Sequence, residues 1–317
     1  MWRTDEVHGA AALRRVVARW PDVIGALGSS SSGAQPLAAV VVRELMPARQ
    51  AHVLGMRVQQ LAASASHFVH TDTKHARIGA KPYTRDQSSA FGAWAHEQKL
   101  TGAVEALHGA IRTLAGKRRV AAGEGYGEPG SFSVFAPGNQ YSAHIDTLHP
   151  SSWYDYCARN ASWSDSRLGG GTSDDAARSE RKQAWLARRN APKTRAYPDA
   201  LRFDAHYSAI LVLHPTPGVD VTAWAAHWDV LRRDCTAGAP RGDGTNPVNV
   251  RFGTEGWARS AAAARAPAAN LSLRAGDAYI FSSHNVHSVW PVAGPRPRVT
   301  YSTFMGADKD EVRLWGY

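Results

Sequence analysis

Residues 278–304, AYIFSSHNVHSVWPVAGPRPRVTYSTF, contain three short β-prone runs in close succession. The runs at 278–282, 287–292 and 299–304 are rich in valine, serine, threonine and aromatic residues, and turn-forming glycine and proline lie between the last two. Short runs separated by turn residues are typical of strands in an antiparallel fold. The C-terminal part of the chain is therefore predicted to be built from short strands.

The same pattern extends back to residue 132, and a different pattern precedes it. Further strands are predicted at 132–135, 140–146, 207–213 and 248–252. Before them, apolar residues recur at helical spacing in 9–28, 41–65 and 100–117, so the first hundred residues are predicted to be mostly helical. Helices followed by many short strands favour an α+β fold over alternating β/α units. We predict a β-sandwich or jelly roll with supporting N-terminal helices.

One decorated domain accounts for the whole of 1–317, because sandwich and barrel folds reach this length without dividing. We expect mainly helical support in 1–125 and the strand-built core in 126–317. Two long segments, 158–200 and 220–270, are predicted as inserts between strands. Loops of this length usually act as lids or are disordered.

The composition indicates a globular protein. Hydrophobic residues make up 44% of the chain and charged residues 20%, which is unlike a disordered chain. No apolar run reaches the roughly 18 residues that a membrane span needs, and Asp5 and Glu6 do not fit the basic start of a signal peptide. Cys157 and Cys235 form neither a disulfide framework nor a zinc motif. We expect a soluble, intracellular protein with no membrane partner.

The chain is basic, with a net charge of +10 and a pI near 9.8. Nucleic acid is a partner that this charge fits, since lysine and arginine neutralise phosphates. Part of the excess is local, because nine Arg or Lys residues against four acids give +5 in 158–196. A solvated basic loop produces the same charge, and we favour that interpretation.

Three short pieces of sequence carry candidate site residues. In the run NQYSAHID at 139–146, a strand places His144 and Asp146 on the same face. His287 follows the strand predicted at 278–282. Further on, Arg298 and Thr300 share one face of the last predicted strand, together with Ser302.

Together these pieces resemble the Fe(II)- and 2-oxoglutarate-dependent dioxygenase superfamily. Its pattern is HxD, a distant His followed by Val and often Pro-Val, and then an Arg with a hydroxyl residue two positions later. The resemblance covers 139–304, and the order, spacing and strand context make it much more specific than any one piece. Tyr141 also matches the YxxHxD variant of the prolyl-hydroxylase-like branch. The implied fold is a double-stranded β-helix, a cupin-like jelly roll.

The resemblance implies that His144, Asp146 and His287 bind Fe(II), because two imidazoles and a carboxylate form a facial triad with open positions for 2-oxoglutarate and O2. It assigns Arg298 and Thr300 to the far carboxylate of 2-oxoglutarate, since the planar guanidinium suits a carboxylate better than lysine does. Tyr141 is placed with them in the co-substrate pocket. The implied reaction decarboxylates 2-oxoglutarate to succinate while the substrate is oxidised, with ascorbate as an optional reductant.

Two assignments have competitors. His284 is also a candidate ligand, although only His287 stands in a His-x-Val-x-Pro-Val context. Arg296 competes with Arg298, and the intervals from His287 bracket the family spacing. Arg298 alone has a threonine two residues later, and Pro297 disfavours strand pairing around Arg296.

Several other side chains near the motifs are candidates for contact with a substrate, although a structural role is commoner for each of them. They are His149, His206, His214, His227, Trp153, Tyr154 and Tyr156.

Three classes of substrate stay open. A small molecule or amino acid comes first, with the long inserts as a lid over it, and we predict that 158–196 covers the active site. The basic charge keeps open a nucleic-acid base oxygenase of the methylcytosine-oxidising or demethylating type, which has to flip its base out of the stack. The YxxHxD detail keeps open a protein prolyl-type hydroxylase.

Outside the oxygenases, a cupin-like binding protein is the alternative, since one fold serves binders and enzymes alike. A pure binder has no need for the arginine and threonine pair. A halogenase is disfavoured because Asp146 is present, where those enzymes typically carry a small residue.

Overall fold

The computed structural model describes residues 3–8, 37–64, 66–71, 75–80, 85–122, 130–144, 205–227, 268–283, 285–308 and 310–315. The strands are β1 (Arg3–His8), β2 (Leu37–Arg43), β3 (Val69–Thr71), β4 (His75–Ile78), β5 (Arg119–Ala122), β6 (Ser131–Phe135), β7 (Tyr141–His144), β8 (Ala205–His214), β9 (Val221–His227), β10 (Ala268–Leu271), β11 (Ala278–Ser282), β12 (Asn285–Val289), β13 (Arg298–Ala307) and β14 (Glu311–Trp315). The helices are α1 (Ala48–Ala62), α2 (Arg85–Glu97) and α3 (Thr101–Ala115).

The strands form two sheets. The major sheet has the order β1-β2-β11-β8-β13-β6-β4-β3, with β14 paired to β13 and β5 paired to β14. The minor sheet has the order β10-β9-β12-β7. In the part of the chain that the structure describes, only β1 with β2 and β5 with β14 pair in parallel. The described residues therefore form a large, mainly antiparallel sheet and a smaller antiparallel sheet, with three helices.

From β6 to β13 the chain moves repeatedly between the sheets. Strands β6, β8, β11 and β13 are neighbours in the major sheet, and β7, β9, β10 and β12 make up the minor sheet. Side chains from seven of these eight strands consequently line a common space between the sheets.

The major sheet is covered on both faces. Helices α1 and α3 pack against β8, and α1 buries Ala51, Leu54, Gly55 and Val58, a spacing that puts all four on one helical face. On β11, Ile280 belongs to the core beneath the helices, whereas Phe281 belongs to the core between the sheets. Each fully buried side chain of this size contributes roughly 1.5–3 kcal/mol.

The N-terminal part contains strands as well as helices. The helical spacing predicted from residue 41 is wrong at its start, because 37–43 forms β2 and α1 begins at Ala48. Val40 and Val42 pack into the core beneath the helices, and Val41 packs between the sheets. Burial on both faces suits β-branched side chains in a strand, so packing overrides the apolar periodicity.

The segment 220–270 is not a continuous insert. It begins with β9, and β10 overlaps its end. These strands have the sequences VTAWAAH and AANL, whose alanines have low β-propensity, so the strand signal is weak. The insert 158–200 and the predictions for 9–28 and 248–252 lie outside the described residues. None of the helices in the described part combines the length and the hydropathy of a membrane span.

Candidate active site between the two sheets

A cavity of about 70 Å³ lies between the inner faces of the two sheets. One water needs roughly 10–15 Å³ of such space, so this cavity is large enough for several waters or part of a small ligand. Polar groups in its wall come from both sheets, with His287 from the minor sheet and Arg298 and Thr300 from the major sheet. The other lining residues are His75, Ser133, Phe135, Tyr141, Ser208, Ile210, Val221, Tyr279, Phe281, Val289, Ser302, Thr303 and Phe304.

His287 is held in one orientation. Its side chain is 5% exposed, and its Nδ1 lies 2.9 Å from the carbonyl oxygen of Asn285. A carbonyl only accepts hydrogen bonds, so Nδ1 donates, and Nε2 is the ring nitrogen that can bind a metal ion. The ring of Phe281 packs edge-on against the imidazole, with 4.5 Å between centroids. This is the arrangement in which histidine serves as a metal ligand through Nε2.

His144 is the neighbour of His287 across the minor sheet. It is the last residue of β7, and its Cα is paired in register with that of His287. The side chain of His144, together with Asp146 and His284, lies outside what the structure describes. Within the described residues, no three His, Cys, Asp or Glu side chains converge on one point. The three-ligand set stays a prediction, with two of its members on paired strands.

Arg298 is the first residue of β13 and is 2% exposed. Its Nε donates to Oδ1 of Asp220 at 2.7 Å, and its Nη2 donates to Oδ2 at 3.2 Å and to the hydroxyl of Tyr279 at 3.3 Å. Burial lowers the pKa of Arg298, but the electrostatic effects of Asp220 and Tyr279 and the hydrogen bonds that Arg298 donates to both raise it above its usual value. Arg298 therefore carries its charge at every pH at which the protein folds.

Alternation along β13 places the neighbours of Arg298 as the sequence predicts. Thr300 and Ser302 line the cavity, whereas Val299 and Tyr301 belong to the core beneath the helices. Arg296 is exposed in the bend before β13 and does not line the cavity. Arg298, with Thr300 on the same face, is therefore the arginine that reaches the cavity.

Tyr141 forms part of the wall nearest the minor sheet. It is buried, and its ring meets those of Phe135 and His75 edge-on, with centroids 6.2 Å and 6.1 Å away. The ring of His75 stacks on that of Phe135 at 4.9 Å. Tyr141 thus lies in the cavity among aromatic rings, and its use for a co-substrate stays a prediction.

Of the other histidines singled out by sequence, the two whose side chains the structure describes, His206 and His214, do not line the cavity. His206 is buried beside Trp315, with ring centroids 6.5 Å apart. His214 lies beneath α1 next to His52, and burial lowers its pKa more than the hydrogen bond with the His52 carbonyl raises it. The side chain of His227 and all of His149, Trp153, Tyr154 and Tyr156 lie outside the described residues.

Sequence reasoning missed two groups that the structure brings to Arg298. Asp220 immediately precedes β9, in a segment predicted as an insert, and no signal in the sequence marked it. Tyr279 lies in a correctly predicted strand, and alternation in that strand puts it on the same face as Phe281. Asp220 lies 78 residues and Tyr279 lies 19 residues from Arg298 in sequence, and tertiary pairing brings both to Arg298.

No family model and no curated protein matches this sequence. Among solved structures, the chain is similar to the epimerase SnoN in complex with Fe3+, α-ketoglutarate and nogalamycin RO, with 14% identity, 96% of this chain and 98% of that chain covered, and a TM-score of 0.44. It is similar to an N-substituted L-amino acid dioxygenase from Burkholderia ambifaria AMMD, with 14% identity, 95% and 91% covered, and a TM-score of 0.44. It is also similar to a prolyl-4-hydroxylase from Pseudomonas putida, with 12% identity, 92% and 96% covered, and a TM-score of 0.36.

These three structures are named as an epimerase in complex with Fe3+ and α-ketoglutarate, a dioxygenase and a prolyl-4-hydroxylase. At identities of 12–14% and TM-scores of 0.36–0.44, however, the function of this chain has to be argued from its own residues.

Proposed function

We propose that this protein is an Fe(II)- and 2-oxoglutarate-dependent oxygenase that acts on a small molecule or an amino-acid-type substrate. The observation that carries the proposal is one cavity with His287 in its minor-sheet wall and Arg298 with Thr300 in its major-sheet wall. The proposal includes the finer fold, in which the eight strands β6 to β13 form a double-stranded β-helix within a single domain of 1–317. The alternation of β6 to β13 between two antiparallel sheets supports it.

The residues present fit a metal ion in this cavity. His287 presents the Nε2 lone pair because Nδ1 is bonded to the Asn285 carbonyl, and the paired register brings the backbone of His144 alongside. Fe(II) would be held by His144, Asp146 and His287, a set of hard and borderline donors that suits this ion. When bound, iron with 2-oxoglutarate supplies the oxidising power that no side chain has.

The opposite wall fits the far carboxylate of 2-oxoglutarate. Arg298 carries a permanent charge and is only 2% exposed, and Thr300 lies on the same face of β13 in the wall of the cavity. A charge-assisted hydrogen bond is worth roughly twice a neutral one, so the guanidinium is the dominant contact. The protein's part in the reaction is to hold the co-substrate between Arg298 and the metal ligands and to keep bulk water away.

The proposal is tested by measuring succinate formed from 2-oxoglutarate with Fe(II), O2 and ascorbate. We expect His144→Ala and His287→Ala to lose more activity than the roughly 10–100-fold that outer-shell changes cost at metal sites. His96→Ala changes an exposed histidine of α2 and should leave turnover unchanged. Equal activity in all three variants would reject the assignment of the metal site.

A nucleic-acid base oxygenase is the second candidate, and the net charge of +10 is the observation that favours it. The test is to repeat the succinate assay with short methylated DNA. Stimulation of turnover by the DNA would select this candidate over a small-molecule oxygenase.

A further inference from the structure

Arg298 already has a carboxylate partner in the wall where the proposed co-substrate binds. Asp220 is fully buried, and its two oxygens accept from Nε and Nη2 of the guanidinium at 2.7 Å and 3.2 Å. The motif of arginine and threonine does not account for this second anion. The role of this buried aspartate beside an anion-binding arginine therefore needs a separate explanation.

The hydrogen bonds divide the guanidinium into two parts. Arginine has five N–H groups, one on Nε and two on each terminal nitrogen. Asp220 takes the edge formed by Nε and Nη2, and the hydroxyl of Tyr279 takes a further bond from Nη2 at 3.3 Å. Among the described residues Nη1 has no hydrogen-bond partner. Arg298 therefore offers Nη1 to a ligand and keeps its other edge for the protein.

The Asp220 carboxylate cannot move together with Arg298, because the backbone of Asp220 is hydrogen-bonded to the minor-sheet side of the cavity. The amide of Asp220 donates to the carbonyl of Leu271 at 2.9 Å, and its own carbonyl accepts from the amide of Trp290 at 3.2 Å. Arg298 stands on the major sheet. The ion pair therefore crosses between the two sheets and sets how far the guanidinium reaches into the cavity.

The pair also sets the charge of the site. An unpaired guanidinium at 2% exposure is very costly, and Asp220 neutralises it before any ligand is present. A bound carboxylate then makes a cluster of two anions and one cation, which holds an anion less strongly than a lone arginine does. Asp220 thus weakens the attraction of the site for an anion but fixes the position of the guanidinium.

On the basis of the proposed function, we propose that Asp220 is a positioning residue that selects the length of the 2-oxo acid. Asp220 holds Arg298 so that only Nη1 contacts the far carboxylate of the 2-oxo acid. This contact then lies at a fixed distance from the metal ligands. A 2-oxo dicarboxylate of matching length fits that distance, and a homologue with one more methylene does not.

The test compares 2-oxoglutarate with 2-oxoadipate, which is one methylene longer. Dissociation constants are measured by calorimetry with Mn(II) in place of Fe(II), and KM and kcat by succinate or glutarate formation. In Asp220→Asn, which keeps one acceptor but loses the charge, we expect the preference for 2-oxoglutarate to fall about tenfold, because a loosened guanidinium can meet either carboxylate. The kcat with 2-oxoglutarate should change less than about threefold.

The matched control is Asp277→Asn. Asp277 is 1% exposed and accepts from Nη1 of Arg43 at 2.7 Å, so it is a buried aspartate paired with an arginine outside the cavity. This variant should keep the wild-type preference. If Asp220→Asn does not fold, Tyr279→Phe removes only the hydroxyl bonded to Nη2 and should reduce the preference by a smaller factor.

An unchanged preference in the folded Asp220→Asn variant, or in Tyr279→Phe if that variant is used, would overturn the proposal, even if the affinity for both acids changes. A failure of the proposed function looks different, because the wild-type protein would then bind neither acid.

Discussion

At the scale of single residues, folding and ligand binding depend on the same ion pair. Arg298 and Asp220 are both nearly inaccessible to water and join the two sheets through two hydrogen bonds. Removing one member of such a pair leaves an uncompensated buried charge, which costs more than the pair contributes as a whole. Loss of activity in a variant of Arg298 must therefore be separated from loss of the fold.

We expect Arg298→Ala to lower the free energy of unfolding by about 3–5 kcal/mol, because Asp220 stays buried without its partner. The double variant Arg298→Ala with Asp220→Ala should be destabilised by less than the sum of the two single variants, since neither charge is then left unpaired. Urea unfolding of the four proteins gives the coupling energy. Additive losses would mean that the two side chains do not stabilise each other.

The residues of the cavity differ in how well sequence alone could place them. Arg298, Thr300 and Ser302 were predictable because alternation in a strand is a local rule, and the structure puts all three in the cavity wall. Asp220 was not predictable, because the nearest residue of the motif is far away in sequence. In addition, β9, the strand that follows Asp220, is rich in alanine. The partner of a buried charge is set by tertiary pairing, which a motif does not record.

At the scale of elements, helix α1 packs closely against the major sheet at Gly55, where there is no room for a side chain. A Cβ added to Gly55 would lie 2.6 Å from Cδ2 of His214 on β8, so the helix backbone rests directly on the imidazole ring. Burial lowers the pKa of His214, and the neutral ring at pH 7 suits this close contact. The glycine in mid-helix is thus required by packing.

We expect Gly55→Ala to lower the free energy of unfolding by about 1–2 kcal/mol, since the strain of overpacking exceeds the gain in helix propensity. Gly109 is the matched control, because it lies in α3 with nothing within 4 Å of an added Cβ. Gly109→Ala should stabilise the protein by roughly 0.5–1 kcal/mol. Thermal and urea unfolding should show a loss of stability in Gly55→Ala and a gain in Gly109→Ala. A stabilised Gly55→Ala variant would mean that Gly55 is not in close contact with His214.

The helices and strands were predictable from sequence where the local pattern of apolar residues is strong. The strand at 278–282 and the helix near 100–117 coincide with β11 and α3 because their apolar patterns are strong. Strand β9 was missed since alanine and tryptophan do not alternate with polar residues there. The start of α1 was misplaced because a strand buried on both faces shows no period of two.

At the scale of the whole molecule, the net charge of +10 and the cavity point to different partners. The cavity has a paired arginine and a few hydroxyl and imidazole groups in its wall, which suit a small anion. The charge is a property of the entire chain, and +5 of it falls in 158–196. Long-range attraction for polyanions and recognition in the cavity can therefore be measured separately.

We expect the protein to bind short duplex DNA weakly and without effect on succinate formation from 2-oxoglutarate. Because such binding comes from counterion release, raising the salt from 50 to 200 mM should weaken it by roughly tenfold or more. Fluorescence anisotropy at both salt concentrations measures the binding, and the succinate assay with and without DNA measures its effect on turnover. Affinity that survives high salt, together with faster turnover, would mean that the DNA base enters the cavity and that the basic charge belongs to substrate recognition.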